Sequence, residues 1–315
     1  MVIQRIFKIL LFIFAIALKF GMSRKNTFYS LGLMPTLMGV GHLAPAIGAI
    51  QATIGSYQFP VKLLGLIGTL SAIVDSMDTY KDLSPSDRPS KLIWNIWVYG
   101  VWSIVLACTL LLDVKTIYDI YRVLPLGLLW GIPCVPAYTA TKGWILSKPK
   151  TLLFEAKSLV VAFCMATVTA ESSISYYCRQ DNVQCHDKDL RMRTFYLAVL
   201  YQFFRETSCD VRDIPEDTKE GLKTLPVKLG KHNTMLLLAS VGFLVEAILT
   251  HGIDIDMSGI TIRSPQLTYS LLRVGLTMAA YWQILRFPRQ NSWAWGSMSL
   301  FGLAPVLLAQ AALRS

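Results

Sequence analysis

Apolar stretches long enough to cross a bilayer recur from one end of this 315-residue chain to the other. About 20 apolar residues in a helix span the ~30 Å hydrocarbon core, where helices satisfy every backbone hydrogen bond internally. Hydrophobic residues make up 53% of the chain and charged residues only 16%, a composition that excludes an ordinary soluble domain. We therefore predict an all-α, polytopic membrane bundle of about nine transmembrane helices. They lie near residues 30–55, 60–76, 93–113, 117–137, 151–171, 191–207, 232–252, 267–286 and 292–312.

The N-terminal segment forms a further apolar run over residues 3–20, with Arg5 and Lys8 near its start. A secretory signal peptide has this plan, but no small-residue cleavage site follows. We expect residues 1–29 to form an uncleaved anchor or an interfacial helix, with a cleaved signal as the alternative. Residues 30–315 then form one transmembrane domain.

Two acidic triplets with identical spacing stand 135 residues apart. On a helix, positions i, i+3 and i+7 share one face, so each triplet forms a column of carboxylates. Carboxylates at the edge of a bilayer are costly unless a cation compensates them. Two facing columns would hold Mg²⁺ that bridges a diphosphate, which indicates chemistry on an isoprenoid diphosphate whose tail lies in the membrane. The columns are Asp75, Asp78 and Asp82, and Asp210, Asp213 and Asp217.

Basic residues set the expected orientation. The chain has a net charge of +10, and the predicted loops on one side are richer in Lys and Arg than those on the other. Positive loops mark the cytoplasmic side, so both acidic triplets face the cytosol. We expect a multi-pass protein of the endoplasmic reticulum or another internal membrane, with the lipid bilayer as its partner. Nucleic-acid binding is not expected, because no soluble basic domain is present.

A longer pattern surrounds the second triplet. Gly221 and then Thr224-Leu-Pro-Val-Lys-Leu-Gly230 follow its carboxylates. This segment resembles the second aspartate-rich motif of the UbiA-type intramembrane prenyltransferase superfamily. The first triplet, followed by Arg88-Pro89, resembles the first motif of that family. It departs from the family pattern at Val74, where Asn is usual, and an upstream Arg-Thr is missing. Val lacks the oxygen ligand that Asn would supply.

A third element also matches the family. Tyr138 and Lys142 resemble its Tyr-x-x-x-Lys motif, and a Lys point charge suits a diphosphate leaving group. Arg88, Arg212 and Lys228 are further candidates for diphosphate binding, and each is equally compatible with a role in topology.

The resemblance implies a helical bundle around a central cavity that opens sideways to the bilayer for the prenyl tail. It also implies that Mg²⁺ is the cofactor. Asp75, Asp78, Asp210 and Asp213 are the expected catalytic metal ligands. Asp82 and Asp217 lie one turn further and are expected to bind the metal through water.

The reaction starts with loss of diphosphate and formation of an allylic cation. In a terpene cyclase the double bonds of the substrate capture this cation, whereas in a prenyltransferase an aromatic or other lipophilic acceptor does. Span one carries Leu31-Gly-Leu-Met-Pro35 in place of the Asp-Lys-Pro-x-Gly-like segment of quinone and meroterpenoid transferases. We therefore favour cyclisation of farnesyl diphosphate to a sesquiterpene, as in the fungal bergamotene-type cyclases, with prenyl transfer as the alternative. A non-catalytic membrane protein or transporter is the third class.

Several other residues lead to separate expectations. Glu155 and Lys157 fit an interfacial position at a helix start, whereas Glu246 falls mid-span, where His42 or Gln283 would be its partner. Cys178 and Cys185 share a predicted lumenal loop in which a disulfide can form. The cysteine spacing does not indicate zinc.

Overall fold

A computed structural model describes most of the chain after its N-terminal segment. The described residues are 34–55, 58–82, 88–123, 125, 135–139, 143–147, 153–180, 187–256, 259–287 and 292–314. Both the predicted N-terminal anchor and Lys142 lie outside them. The side chains of Asp75, Asp78 and Asp82 are also outside the description, although their backbone is part of a helix.

The described chain is mainly helical, as the apolar pattern predicted. The helices are α1 (Met34–Ile54), α2 (Val61–Asp82), α3 (Lys91–Leu110), α4 (Val114–Tyr121), α5 (Lys157–Ala166), α6 (Ser172–Cys178), α7 (Lys188–Glu220), α8 (Leu225–Leu249), α9 (Ser264–Ile284), α10 (Ser292–Leu303) and α11 (Pro305–Ala312). A 3₁₀ turn (Phe154–Ala156) precedes α5, and a π-helical segment (Thr167–Glu171) joins α5 to α6.

Two short antiparallel hairpins complete the described elements. Strands β1 (Val135–Thr139) and β2 (Gly143–Ser147) form one, and β3 (Ile253–Asp256) and β4 (Gly259–Ile262) form the other. The sequence analysis anticipated neither hairpin. In the first, Gly143 has φ 67°, a left-handed conformation that other residues adopt with strain.

Within the described residues, four helices are long and apolar enough to cross a membrane. They are Pro35–Ile54, Lys91–Leu110, Lys157–Cys178 and Leu225–Leu249. Two shorter apolar helices cover Val61–Val74 and Gly296–Ala312. The protein is therefore a helical membrane protein, and the count of nine spans stays a prediction. The predicted span 117–137 includes the end of α4 at Tyr121 and the start of β1 at Val135, and most of the residues between them are outside the description.

Helix α1 occupies the centre of the described bundle. It packs against α2 on one side and against α7 and α10 on others, and it also contacts the π-helical segment. Small residues permit this close approach, because a Cβ on Gly39 would lie 2.5 Å from the Gly68 carbonyl oxygen of α2. Both helices that carry an acidic triplet, α2 and α7, therefore pack on the same central helix.

Helix α3 is the least buried of the four long apolar helices. Only 6% of its apolar stretch is buried inside the protein. Large side chains such as Leu92, Ile96 and Leu106 are exposed. An apolar surface of this extent is unstable in water and is stable against lipid tails. Helix α3 therefore presents a lipid-facing surface.

The cysteine prediction is tested only in part. Cys178 is disulfide-bonded, whereas Cys108, Cys164 and Cys209 are free. Cys185 lies outside the described residues, so its pairing with Cys178 stays a prediction.

Candidate metal and diphosphate site

The second acidic triplet lies in the last three turns of α7. This helix has 33 residues, so it is about 50 Å long, compared with ~30 Å of hydrocarbon. Its length therefore exceeds the thickness of the apolar layer. Asp210, Asp213 and Asp217 are on one face of the helix, as the spacing predicted.

The residues after the triplet fold the chain back onto it. Gly221 ends α7 with φ 72°, the left-handed conformation that commonly terminates a helix. Helix α8 begins immediately afterwards, with Pro226 in its first turn, where no backbone N–H is required. The turn brings Thr224 against α7, and its hydroxyl donates to a carboxylate oxygen of Asp217 at 3.2 Å. This contact gives a physical reason for the Gly and Thr-Leu-Pro pattern that follows the triplet.

Asp210 is the most deeply buried carboxylate of the motif. Lys157 Nζ donates to its Oδ1 at 2.5 Å, and Ser158 Oγ donates to its Oδ2 at 2.5 Å. The Asp210 side chain is 6% exposed and that of Lys157 is 19% exposed. Because Lys157 and Ser158 are the first two residues of α5, the start of that helix lies directly on the acidic face of α7.

The pKa of Asp217 reflects the charges on this face of α7. Burial raises the pKa of its carboxyl above the ordinary value, and the charges of Asp210 and Asp213 raise the pKa further. Lys157 and the hydrogen bond from Thr224 act in the opposite direction. The three carboxylates are therefore close enough to repel one another, which is the condition that favours binding of a cation.

The predicted diphosphate-binding cations near this motif are engaged with carboxylates. Arg212 donates to both oxygens of Asp213, at 2.6 Å from Nε and 2.8 Å from an Nη atom. Lys228 forms an ion pair with Glu155, in which both side chains are about half exposed. The helix that carries Lys228 has a kink at Gly230, with φ 74° and ψ 165°.

The first acidic motif is described only through its backbone and its neighbours. Asp75, Asp78 and Asp82 occupy the last two turns of α2, and Val74 is 65% exposed. Arg88 lies over the ring of Tyr80, 5.2 Å from its centroid. Tyr80 itself stacks on Trp94 at 4.1 Å, and Trp94 stacks on Trp97. An aromatic stack therefore connects the end of α2 to the start of α3.

The third predicted motif lies on the first hairpin. Tyr138 is exposed on β1 and makes an edge contact with Trp144 of β2, with ring centroids 5.8 Å apart. Lys142 lies outside the described residues, so their predicted pairing on a diphosphate stays a prediction.

The described carboxylates suit Mg²⁺ in chemistry but provide only part of a site. Mg²⁺ prefers carboxylate oxygens, and the ammonium of Lys157 occupies a cation position beside Asp210. Among the side chains that the structure describes, no group of three His, Cys, Asp or Glu residues forms a ready metal cluster.

Sequence reasoning missed the two residues that bind Asp210. Lys157 and Ser158 are separated from Asp210 by 53 and 52 positions, and no local pattern relates them. The sequence analysis treated Lys157 as an interfacial charge at a helix start. Its place at the start of α5 agrees with that interpretation, but its ion pair does not follow from it.

The expectation for Glu246 was wrong in two respects. Glu246 lies in the last turn of α8 rather than mid-span. Its partners are Tyr201 and Arg273, which donate to its two oxygens at 2.6 and 2.5 Å, rather than His42 or Gln283. His42 instead forms a buried hydrogen bond with Gln202 of α7 at 3.0 Å.

Comparison with known protein families decides the class. The model of the VviA prenyltransferase family matches residues 25–313, which is nearly the whole chain. The chain belongs to the VviA prenyltransferase family. This membership supports the UbiA-like resemblance and an enzyme that uses a prenyl diphosphate substrate. A search of curated proteins found no match.

Proposed function

We propose that this VviA-family protein ionises an isoprenyl diphosphate at the cytosolic end of its helical bundle. The observation that carries the proposal is the acidic face of α7, where Asp210, Asp213 and Asp217 interact with Lys157 at the end of an apolar bundle. Carboxylates there would bind Mg²⁺, while the apolar surroundings would accept the prenyl tail.

In this proposal, the acidic residues bind the metal, and the basic residues together with Tyr138 bind the diphosphate. Bound Mg²⁺ would neutralise the diphosphate and thereby make it a better leaving group. Asp210 and Asp213 would hold that metal together with Asp75 and Asp78 of α2, and Asp82 and Asp217 would act through water. Arg88, Arg212, Lys228, Tyr138 and Lys142 would bind the diphosphate oxygens. Arg212 and Lys228 would first have to leave their carboxylate partners.

Two hydroxyl groups would position carboxylates of the second triplet. Ser158 holds one oxygen of Asp210 and so fixes the rotation of the carboxylate. Thr224 does the same for Asp217. A ligand held in one orientation loses less entropy when it binds a metal, so these hydroxyls would raise metal affinity without contacting the substrate.

We propose transfer of the prenyl group to a lipophilic acceptor as the overall reaction, since the family is one of prenyltransferases. Cyclisation of farnesyl diphosphate is the second candidate. It is favoured by the Leu31-to-Pro35 segment of span one, which lacks the charged residues of the acceptor-using transferases. Both reactions share the ionisation step and differ in which group captures the cation. An internal membrane, with the site facing the cytosol, is the proposed location.

The test uses microsomes that contain the full chain, Mg²⁺ and farnesyl diphosphate, with products analysed by gas chromatography–mass spectrometry. A hydrocarbon formed without any added acceptor would identify a cyclase. Diphosphate release that requires an aromatic acceptor would identify a transferase. Absence of both reactions, also with geranyl and geranylgeranyl diphosphate, would contradict the proposal. The Asp213→Asn variant serves as the inactive control.

A further inference from the structure

The contact between Lys157 and Asp210 has an unusual cost, which points to a role beyond packing. Lys157 follows directly on the 3₁₀ turn Phe154–Ala156, and its side chain is only 19% exposed. Removing an ammonium from water to this extent is unfavourable by itself. The ion pair with Asp210 offsets this cost.

Lys157 acts on the whole acidic face rather than on one carboxylate. Its ammonium lies 2.5 Å from Asp210 and interacts electrostatically with Asp213 and Asp217 as well. Asp213 also has Arg212, and Asp217 has the neutral hydroxyl of Thr224. Of these partners, Lys157 is the cation that contacts Asp210, the most deeply buried of the three carboxylates.

We propose that Lys157 is an exchangeable internal cation, which neutralises the second acidic motif until Mg²⁺ takes its place. This inference rests on the proposed function, because it assumes that Asp210 is a metal ligand. An ammonium and a divalent cation repel each other strongly when both lie against one poorly exposed carboxylate. Lys157 therefore moves away from Asp210 when the metal binds.

The flexibility of the Lys157 side chain allows this move. Its ammonium ends a flexible four-carbon stem, and the side chain as a whole is 19% exposed. Ser158, in contrast, is buried and keeps its hydrogen bond to Asp210. The exchange thus changes one partner of Asp210 and leaves the other in place. It also keeps a cation against Asp210 in both states, which limits the cost of carboxylates at the bilayer edge.

The first experiment measures Mn²⁺ affinity of the purified full chain in nanodiscs, by the electron paramagnetic resonance signal of free Mn²⁺ and without any diphosphate. We expect Lys157→Met to bind Mn²⁺ about five- to ten-fold more tightly than the wild type, because a competing charge is removed. Lys157→Arg keeps the charge and should stay near the wild type. Lys219→Met is the matched control, since it removes an exposed charge from the same end of α7 and should change affinity less than about two-fold.

A second measurement needs no variant and covers the case in which Lys157→Met does not fold. Acetylation by an amine-reactive reagent is followed at individual lysines of the wild type by peptide mass spectrometry. Mn²⁺ should increase the labelling rate of Lys157, as its ammonium leaves Asp210, and leave that of Lys219 unchanged. Equal Mn²⁺ affinity of Lys157→Met and wild type, or a Lys157 labelling rate that does not respond to Mn²⁺, would overturn the inference.

These outcomes separate the inference from the proposed function. If the wild type turns over farnesyl diphosphate with Mg²⁺ but Lys157 does not respond to Mn²⁺, only the exchange is wrong. If Mn²⁺ binds and displaces Lys157 but no isoprenyl diphosphate reacts, the proposed function is wrong and the exchange stands.

Discussion

Two charged clusters that contact α7 differ in how their charges balance. In the interior cluster, Glu246 is fully buried and receives hydrogen bonds from Tyr201 and Arg273 on its two oxygens. One carboxylate meets one guanidinium there. At the acidic end of the same helix, three carboxylates meet the ammonium of Lys157 and the guanidinium of Arg212. The acidic cluster thus keeps an excess of negative charge among its described members.

This difference separates a structural ion pair from a binding site. A balanced and fully bonded pair gains nothing from another ion, and its loss leaves an uncompensated buried charge. An unbalanced cluster of carboxylates gains from a cation, and the side chains of Asp213 and Lys157 are about one-fifth exposed. The interior cluster therefore joins α7, α8 and α9, whereas the acidic end is the proposed site of the chemistry.

The largest expected effect comes from removing one charge at the acidic end. Asp210→Asn keeps the size of the side chain but removes the charge that would hold a metal. We expect activity to fall by at least about 100-fold, in line with the loss of electrostatic stabilisation at other active sites. The measurement is diphosphate release from farnesyl diphosphate in microsomes.

Asp254→Asn is the control for that experiment. Asp254 also forms ion pairs, with His251 and Arg263, but it lies on β3 in the second hairpin. Its loss should leave turnover near that of the wild type. An equal loss of turnover in both variants would remove the distinction between the acidic end and other ion pairs.

The interior cluster should respond in stability instead. Glu246→Gln leaves Arg273 buried without a carboxylate, and we expect a loss of about 3 kcal/mol in the free energy of unfolding. Glu171→Gln breaks a half-exposed pair with Arg122 and should cost less than about 1 kcal/mol. Thermal unfolding of the purified proteins in detergent measures both. Equal stabilities of the two variants would contradict the conclusion that the interior ion pair stabilises the fold.

The smallest expected effect is a pH dependence at Asp217. Its pKa is raised in the folded protein, mainly by burial, so the folded state keeps its proton at a pH where the unfolded state has lost it. Stability of the metal-free protein should therefore decrease as pH rises from about 4 through the raised pKa. Asp217→Asn should flatten this slope, as measured by unfolding temperature against pH in EDTA. A steeper slope in the variant would contradict the assignment.

Local sequence patterns predicted the helices of the C-terminal half well. The predicted spans 232–252 and 267–286 correspond to α8 (Leu225–Leu249) and α9 (Ser264–Ile284). The acidic face of α7 also followed from spacing alone, because i, i+3 and i+7 is a property of the helix. These predictions succeeded since each depends on neighbours in sequence.

Contacts between distant segments could not be predicted in the same way. The bonds of Asp210 to Lys157 and of Glu246 to Arg273 depend on how helices pack, and no residue pattern encodes them. Arg273 falls inside a predicted span, where a charge needs a buried partner, but it was not singled out from the sequence. The first hairpin was missed because the residues around it read as the end of an apolar span and a polar loop.

The most direct test of the account is metal dependence of the first chemical step. Diphosphate release from farnesyl diphosphate is measured in wild-type microsomes treated with EDTA and then supplied with Mg²⁺. We predict that release stops in EDTA and returns when Mg²⁺ is added, whichever group captures the cation. Release that continues at an unchanged rate in EDTA would contradict a metal-binding role for the acidic columns.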